Sequence, residues 1–183
     1  MSVRWHTAVI DPPWLERGGG KVKRGADRHY PLMSREDCYR ALVMSGQWTP
    51  DEDAHLYLWV TNNFLVEGIL LMGELGFRYV TNIAWVKSKG DPEPDADGVQ
   101  IGLGQYFRGA HELCLFGVRG SGLRIATEAR DIPSVIVAPR GQHSRKPEAF
   151  YDLVERRSCQ PYLECFARRG REGWQSWGNE VTP

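Results

Sequence analysis

Short apolar runs along the chain alternate with segments whose apolar residues recur every three or four positions. The runs contain many β-branched and aromatic residues and are bounded by turn residues, a pattern typical of buried strands. Strands are therefore predicted at 6–11, 55–61, 79–87, 110–118, 134–139 and 161–167. The helical spacing predicts helices at 35–44, at 63–76 and from Pro147 onward. Alternating strands and helices indicate an α/β domain with a mainly parallel sheet.

Two residues mark the expected ends of helices. Ser34 is predicted to be an N-cap, with Asp37 three residues later. Gly76 is predicted to end the second helix, because glycine readily adopts the left-handed conformation that follows many helices. The segment 88–108 is rich in Gly, Pro and Asp and is predicted to be a loop.

The composition is that of an ordinary globular protein. The chain has 183 residues, of which 42% are hydrophobic and 25% are charged, and we expect one domain over residues 1–183. No apolar run is long enough for a membrane span, and the N-terminus lacks a signal-peptide pattern. The spacing of Cys38, Cys114, Cys159 and Cys165 indicates neither disulfides nor a metal site. Reduced thiols in a cytoplasmic protein are therefore expected.

Basic residues form three local groups although the formal net charge is zero. The first group holds Arg17, Lys21, Lys23, Arg24 and Arg28, the second Arg140, Arg145 and Lys146, and the third Arg168, Arg169 and Arg171. If the groups meet in space, they form a local surface for phosphates. The alternative is a set of separate solvated loops.

The sequence Asp11–Pro12–Pro13–Trp14 directly follows the first predicted strand. The two prolines cannot continue the strand ladder, and their fixed φ angles make the turn rigid. A rigid turn holds the Asp11 carboxylate and nearby carbonyl oxygens as hydrogen-bond acceptors, beside the flat face of Trp14. This combination suits a planar group that carries an amine, such as a nucleobase. The alternative is a plain strand end with a core tryptophan.

Six segments occur in a fixed order along the chain: DPPW, HYPLMS, LYLWVT, GAHELCLFGVRG, HSRKPEAFYDLVER and ECFARRGREGWQSWGNE. Together they resemble the adenine-N6 methyltransferase family that includes the catalytic subunit of the eukaryotic mRNA adenosine methyltransferase. The chain is most similar to the short phage and bacterial members, and the resemblance runs from about Thr7 to Val181. It implies a single methyltransferase domain with a Rossmann-like, S-adenosylmethionine-dependent fold, in a permuted order that places the catalytic motif before the cofactor motif.

The resemblance also implies roles for individual residues. The catalytic motif is Asp11, Pro12, Pro13 and Trp14. The cofactor-binding residues are Asp11, Lys146, Arg168, Asn179 and Glu180, the last standing where the eukaryotic enzyme has glutamine. The substrate-binding residues are Trp14, Lys21, Lys23, Arg24, Arg28, Tyr30 and Lys146. Glu112 matches a family glutamate, and its alternatives are a supporting role at the site or a satisfied core carboxylate.

These residue types suit methylation of an exocyclic amine. The adenine N6 lone pair is delocalised into the ring, and two acceptors on its protons, Asp11 and the Pro12 carbonyl, would make it available. The sulfonium methyl is already activated, so no metal is expected and catalysis is mostly positioning and electrostatics. A duplex target must leave the stack to reach such a site, and Trp14 and Tyr30 are expected to stack on the base. Gly18, Gly19 and Gly20 predict a mobile gate over the target strand, with an ordinary surface loop as the alternative.

Three functions remain open at the level of the sequence. DNA adenine-N6 methylation is favoured because the short relatives are phage and bacterial. The alternatives are RNA adenine-N6 methylation and a catalytically silent partner that binds nucleic acid, although the intact catalytic motif argues against the silent partner. A homodimer or a complex with a partner subunit is the expected assembly.

Overall fold

The computed structural model describes residues 4–15, 32–90, 98–102, 106–141 and 145–178. Within these ranges the chain forms β1 (Trp5–Ile10), α1 (Arg35–Met44), β2 (Pro50–Val60), α2 (Leu65–Glu74), β3 (Arg78–Ser88), β4 (His111–Arg119), β5 (Val135–Pro139), α3 (Glu148–Arg157), β6 (Tyr162–Cys165) and β7 (Trp174–Trp177). Short 3-10 turns lie at Asn62–Phe64 and Gly122–Ile125. None of the helices in the described ranges has the length and apolar character needed to cross a membrane.

The seven strands form one sheet in the order β5-β3-β4-β2-β1-β6-β7. Strand β4 runs antiparallel to its neighbours β2 and β3, and every other neighbouring pair is parallel. The expected α/β fold with a mainly parallel sheet is therefore confirmed, and the arrangement is Rossmann-like. Because β3 and β4 are antiparallel neighbours, their connection does not need the crossover helix that parallel strands require.

Helices cover both faces of the sheet, and the alternation of side chains along each strand builds two cores. In β1, Ala8 and Ile10 belong to the core under α1 and α2, whereas Val9 belongs to the core under α3. Strand β1 is buried on both faces, and its run of apolar residues reflects this position in the middle of the sheet.

Both predicted helix ends are confirmed. The Ser34 hydroxyl accepts a hydrogen bond of 3.2 Å from the Asp37 backbone N–H and donates one of 2.8 Å to the Asp37 carboxylate. Gly76 has a φ of +83° after the last turn of α2. There the N–H of Phe77 donates to the Met72 carbonyl and the N–H of Gly76 to the Gly73 carbonyl, both at 3.0 Å. These two bonds are the ones that define a Schellman motif.

The structure differs from the sequence-based prediction in four elements. The strand predicted at 161–167 is shorter and spans Tyr162–Cys165. Strand β2 begins at Pro50 rather than at 55, and the second helix is preceded by the 3-10 turn at Asn62–Phe64. The edge strand β7 was not predicted. It has only four residues, and it pairs only with β6, so its formation depends on a neighbour rather than on its own sequence.

The side of the sheet on which successive strands are added changes between β1 and β6. The chain passes from β1 to β2 on one side, and from β6 to β7 on the other. In open α/β sheets such a reversal leaves a crevice at the carboxyl ends of the two strands, where ligands bind. Asp11 and Phe166 are the first residues after the two strands, so the predicted catalytic motif lies at this crevice.

Candidate active site

The turn that carries Asp11 is closed by backbone hydrogen bonds. The N–H of Trp14 donates to the Pro12 carbonyl at 2.9 Å, and the N–H of Met33 donates to the Pro13 carbonyl at 2.8 Å. The N–H of Leu15 donates to the Met33 carbonyl at 3.0 Å. A carbonyl oxygen has two lone pairs, so the Pro12 oxygen can still accept a second hydrogen bond from a ligand.

Trp14 does not present the open stacking face that the sequence suggested. Its side chain is 5% exposed, and its ring stacks on Phe64 with a centroid separation of 5.4 Å. The indole N–H donates to the Trp59 carbonyl at 2.8 Å. The burial agrees with the alternative of a core tryptophan, since the apolar ring gains from leaving water, and a contact of Trp14 with a base stays a prediction. Trp14 anchors the turn to β2.

Lys146 forms an ion pair with the predicted catalytic residue Asp11. It precedes α3 and is 8% exposed. Its Nζ lies 2.9 Å from Asp11 Oδ2 and 3.3 Å from Glu112 Oε2, and it sits 5.0 Å from the centre of the Trp59 ring. Burial lowers the pKa of Lys146, but the carboxylates of Asp11 and Glu112 raise it by more. Lys146 is therefore a buried cation that is kept charged by its two acidic partners.

Glu112 is one of these partners, and it contacts a second lysine. Lys87 Nζ lies 2.6 Å from Glu112 Oε1, with side chains that are 17% and 20% exposed. Burial raises the pKa of Glu112, but Lys146 and Lys87 lower it to about 2. Of the two alternatives for Glu112, the geometry favours the supporting role. Lys87 was not predicted to be part of the site. The signal for it is its position two residues after the buried Trp85, which places both side chains on one face of β3.

A second group of polar residues lies beside the end of β6. Glu164 is buried, and it accepts a hydrogen bond of 2.6 Å from the Tyr151 hydroxyl. Burial raises the pKa of Glu164, and the nearby Asp11 carboxylate adds to this effect. Ser176 is the partner of Glu164 in the β6–β7 register, and its buried hydroxyl has no hydrogen-bond partner within the part of the chain that the structure describes. Arg168 follows the same strand and is half-buried.

These groups fit S-adenosylmethionine by their chemistry. The cofactor carries an ammonium, a sulfonium and ribose hydroxyls, and the crevice offers carboxyl groups at Asp11 and Glu164 and the unpartnered hydroxyl of Ser176. The role of Arg168 in cofactor binding, which the resemblance implies, stays a prediction. A Cβ at Gly178 would collide with the backbone oxygen of Ala167. The ends of β6 and β7 are thus packed closely together beside the crevice.

Members of the second and third basic groups meet in space, whereas the first group of the sequence-based hypothesis lies outside the described residues. The guanidinium groups of Arg145, Arg169 and Arg171 all contact the Glu148 carboxylate at the start of α3. Arg145 and its two neighbours lower the pKa of Glu148 to about 2. Three arginines around one carboxylate leave a net positive charge near the crevice. Glu148 was not predicted, because only the fold brings these segments together.

Several predicted residues lie outside the described ranges, and their roles stay predictions. They are the substrate-binding residues Lys21, Lys23, Arg24, Arg28 and Tyr30 and the cofactor-binding residues Asn179 and Glu180. Arg17 of the first basic group and the three glycines of the predicted gate also lie outside them.

Comparison with known proteins gives a match over nearly the whole chain. The model of the MT-A70 family matches residues 5–180. The N6-methyladenosine RNA methyltransferase MTA1 of Cryphonectria parasitica is 30% identical over 182 residues, 94% of this chain and 50% of the fungal protein. The Type II methyltransferase M.MunI of Mycoplasma sp is 30% identical over 195 residues, 97% of this chain and 78% of that protein. The N(6)-adenosine-methyltransferase catalytic subunit METTL3 of Homo sapiens is 29% identical over 192 residues, 99% of this chain and 29% of the human protein.

The chain spans about half the length of the fungal relative and a smaller share of the human one. The match nevertheless includes the acidic turn after β1, the lysine before α3 and the strand pair β6–β7. The sequence motifs, the Rossmann-like sheet and the family match agree, and the chain belongs to the MT-A70 family, whose methyltransferases use S-adenosylmethionine as the methyl donor.

Proposed function

We propose that this chain transfers a methyl group from S-adenosylmethionine to the exocyclic N6 nitrogen of adenine in DNA. The observation that carries the proposal is the ion pair of 2.9 Å between Asp11 and Lys146, at the strand ends that flank the crevice. It fixes a carboxylate within a rigid turn, where an amine acceptor and a bound cofactor can meet. The family supports N6-adenine methylation, and the choice of DNA is our own.

Bound S-adenosylmethionine supplies a methyl group that is already activated by its sulfonium. The chain then has to position the amine and stabilise the charge that develops on nitrogen. We assign one amine proton to the Asp11 carboxylate and the other to the Pro12 carbonyl, which retains an unused lone pair. The negative charge of Asp11 stabilises the positive charge on the attacking nitrogen, and a preorganised group of this kind needs no reorganisation during the reaction.

Lys146 orients Asp11 in this proposal. Its ammonium bonds Oδ2 of Asp11, and we assign Oδ1 to the adenine amine. Because Lys146 is almost fully buried and lies over Trp59, its own freedom is small. The position of the carboxylate is therefore set by two restraints, the proline turn and the lysine.

The relatives support DNA over RNA by length alone. The match covers 78% of the Type II methyltransferase M.MunI, compared with 50% of the RNA methyltransferase MTA1. RNA adenine-N6 methylation is the second candidate, because both RNA and type II enzymes are about equally identical to this chain. The third candidate, a silent partner subunit, is disfavoured by the intact Asp11–Lys146 pair. A homodimer or a partner subunit remains our prediction for the assembly.

The test is transfer of labelled methyl from S-adenosylmethionine to duplex DNA, single-stranded DNA and RNA of matched sequence. We expect label in DNA at a rate well above that in RNA. Faster transfer to RNA would replace DNA by RNA and keep the chemistry. Cofactor binding without transfer to any of the three would support the silent partner.

A further inference from the structure

A chain of ion pairs crosses the carboxyl-end edge of the sheet. It starts at Lys87 on β3, passes to Glu112 on β4 at 2.6 Å and to Lys146 at 3.3 Å, and ends at Asp11 after β1 at 2.9 Å. Lys146 lies over the ring of Trp59, which belongs to β2. The four charges therefore step across the neighbouring strands β3, β4, β2 and β1 in their spatial order.

The strand register explains how the Lys87 end of the ion-pair series is built. Trp85 is paired with Glu112 across β3 and β4, and Lys87 lies two residues beyond Trp85 on the same face. The backbone N–H of Lys87 donates to the Ala110 carbonyl at 2.9 Å, which fixes the end of the strand. This face belongs to the core under α3, and Lys146 precedes that helix. Lys87 and Lys146 therefore reach Glu112 from two separate elements.

The charges balance only when Lys87 is counted. Asp11, Glu112 and Lys146 alone have two negative charges and one positive charge, so the two carboxylates compete for one ammonium. With Lys87 each carboxylate has its own cation. The four side chains are between 8% and 23% exposed, so solvent and salt screen their interactions only weakly.

We propose that Lys87 is a positioning residue for methyl transfer: by pairing with Glu112 it keeps Lys146 on Asp11 and so holds Asp11 toward the acceptor amine. The inference rests on the proposed function, because Asp11 is taken as the group that receives the amine. Lys87 itself acts through two other residues. The competing view is a structural role only, in which Lys87 packs over the Trp85 ring at 5.4 Å.

The test compares Lys87→Met and Lys87→Gln with Lys87→Arg. We expect both removal variants to lower kcat by about tenfold or more while KM for the nucleic acid changes little, because the lost restraint acts on the reacting group. Lys87→Arg keeps the cation and should retain most of the activity. Lys89→Met, two residues along the chain on an exposed side chain, is the matched control for loss of one positive charge.

Coupling to Glu112 separates positioning from packing. Lys87→Met introduced into a Glu112→Gln background should add less than about a threefold further loss, since the two residues act through one path. Losses that multiply independently, or a Lys87→Met enzyme with the wild-type kcat, would overturn the proposal.

A crystal structure of Lys87→Met gives a readout that does not need activity. We expect Lys146 Nζ to move toward Glu112 and its distance to Asp11 Oδ2 to exceed about 3.5 Å, the limit of a hydrogen bond. An unchanged Lys146–Asp11 contact in that structure would overturn the role of Lys87. A wild-type enzyme that methylates no nucleic acid would instead overturn the proposed function, and the crystal structure would still decide whether Lys87 sets the position of Lys146.

Discussion

Asp11 is restrained by the two prolines that follow it and by the ammonium of Lys146. Its backbone N–H also points to the Cys165 carbonyl of β6, at 3.4 Å. The sequence predicted the turn at Asp11, because the two prolines that follow it cannot continue the strand ladder. It left the burial of Trp14 as an alternative and did not predict the contact of Lys87, because both depend on strands that lie far away in the chain.

Asp11→Asn keeps the shape of the side chain and removes its charge. We expect kcat for methyl transfer to fall by about 10²–10³-fold, the range for loss of one preorganised electrostatic group. Asp152→Asn, on an exposed position of α3, is the control for loss of a carboxylate. Steady-state kinetics of both variants provide the measurement. An Asp11→Asn enzyme within a few fold of wild type would remove the catalytic assignment.

His55, on β2, belongs to a buried hydrogen-bond network. Its Nδ1 lies 2.6 Å from the Ser158 hydroxyl and its Nε2 lies 2.8 Å from the Gly122 carbonyl. Since a carbonyl can only accept, Nε2 carries the proton and Nδ1 accepts from Ser158. The Tyr57 hydroxyl completes the network at 2.8 Å from Ser158. Both ring nitrogens of the neutral histidine are therefore hydrogen-bonded.

This network predicts a loss of stability in mild acid. Burial lowers the pKa of His55 to about 4, from an ordinary value near 6.5. The unfolded chain therefore binds the proton first, so the stabilisation is complete above pH 6.5 and is lost as the pH falls toward 4. We expect the free energy of unfolding to drop by about 2–3 kcal/mol between pH 7 and pH 4.5 from this group. Urea titrations and NMR of the ring test this, and a native His55 that titrates near 6.5 would contradict it.

Helix α2 shows how far local sequence determines an element. Its C-terminal end follows from Gly76, whose φ of +83° suits glycine. The capping residue Ser34 likewise defines the start of α1, and the predicted bounds of that helix agree with the structure. Strand β7 and the reversed direction of β4 could not be derived in this way, because pairing partners rather than local pattern determine them.

Two glycines of the same helix end predict opposite effects. Gly76→Ala should lower the free energy of unfolding by about 1–2 kcal/mol, because an L-residue is strained in the left-handed conformation. Gly73→Ala should raise it by about 0.5–1 kcal/mol, because a Cβ at this helical position meets nothing within 4 Å. Chemical denaturation of the two variants measures both. Equal effects of the two substitutions would show that the Schellman geometry is wrong.

Taken as a whole, the molecule brings three segments together at one crevice. The turn after β1 supplies Asp11, the loop before α3 supplies Lys146, and the strand pair β6–β7 supplies Glu164 and Ser176. The sequence placed Asp11 directly after a predicted strand, and ligands of open α/β sheets bind at the carboxyl ends of strands. The distances between these side chains and the arginine cluster at Glu148 could not be predicted from the sequence, because only the fold determines them.

Because the ends of β6 and β7 are closely packed, a substitution that separates them is expected to weaken cofactor binding. S-adenosylmethionine at 100 times its Kd should raise the free energy of unfolding of the wild type by about 2.7 kcal/mol. Gly178→Ala should weaken or abolish this effect, because its Cβ collides with the Ala167 backbone. Gly170→Ala is the matched control, since a Cβ there meets nothing within 4 Å. Thermal denaturation with and without cofactor gives the comparison, and equal stabilisation of both variants would place the cofactor elsewhere.

The most direct measurement is the identity of the methylated nucleoside. Duplex DNA is incubated with the enzyme and labelled S-adenosylmethionine, digested to nucleosides and separated by chromatography with mass detection. We predict that the label is found in N6-methyl-2′-deoxyadenosine with wild-type enzyme and falls by about 10²–10³-fold with Asp11→Asn. Label in a cytosine derivative, or equal labelling of adenine by wild type and Asp11→Asn, would contradict adenine-N6 methylation by a site built on Asp11.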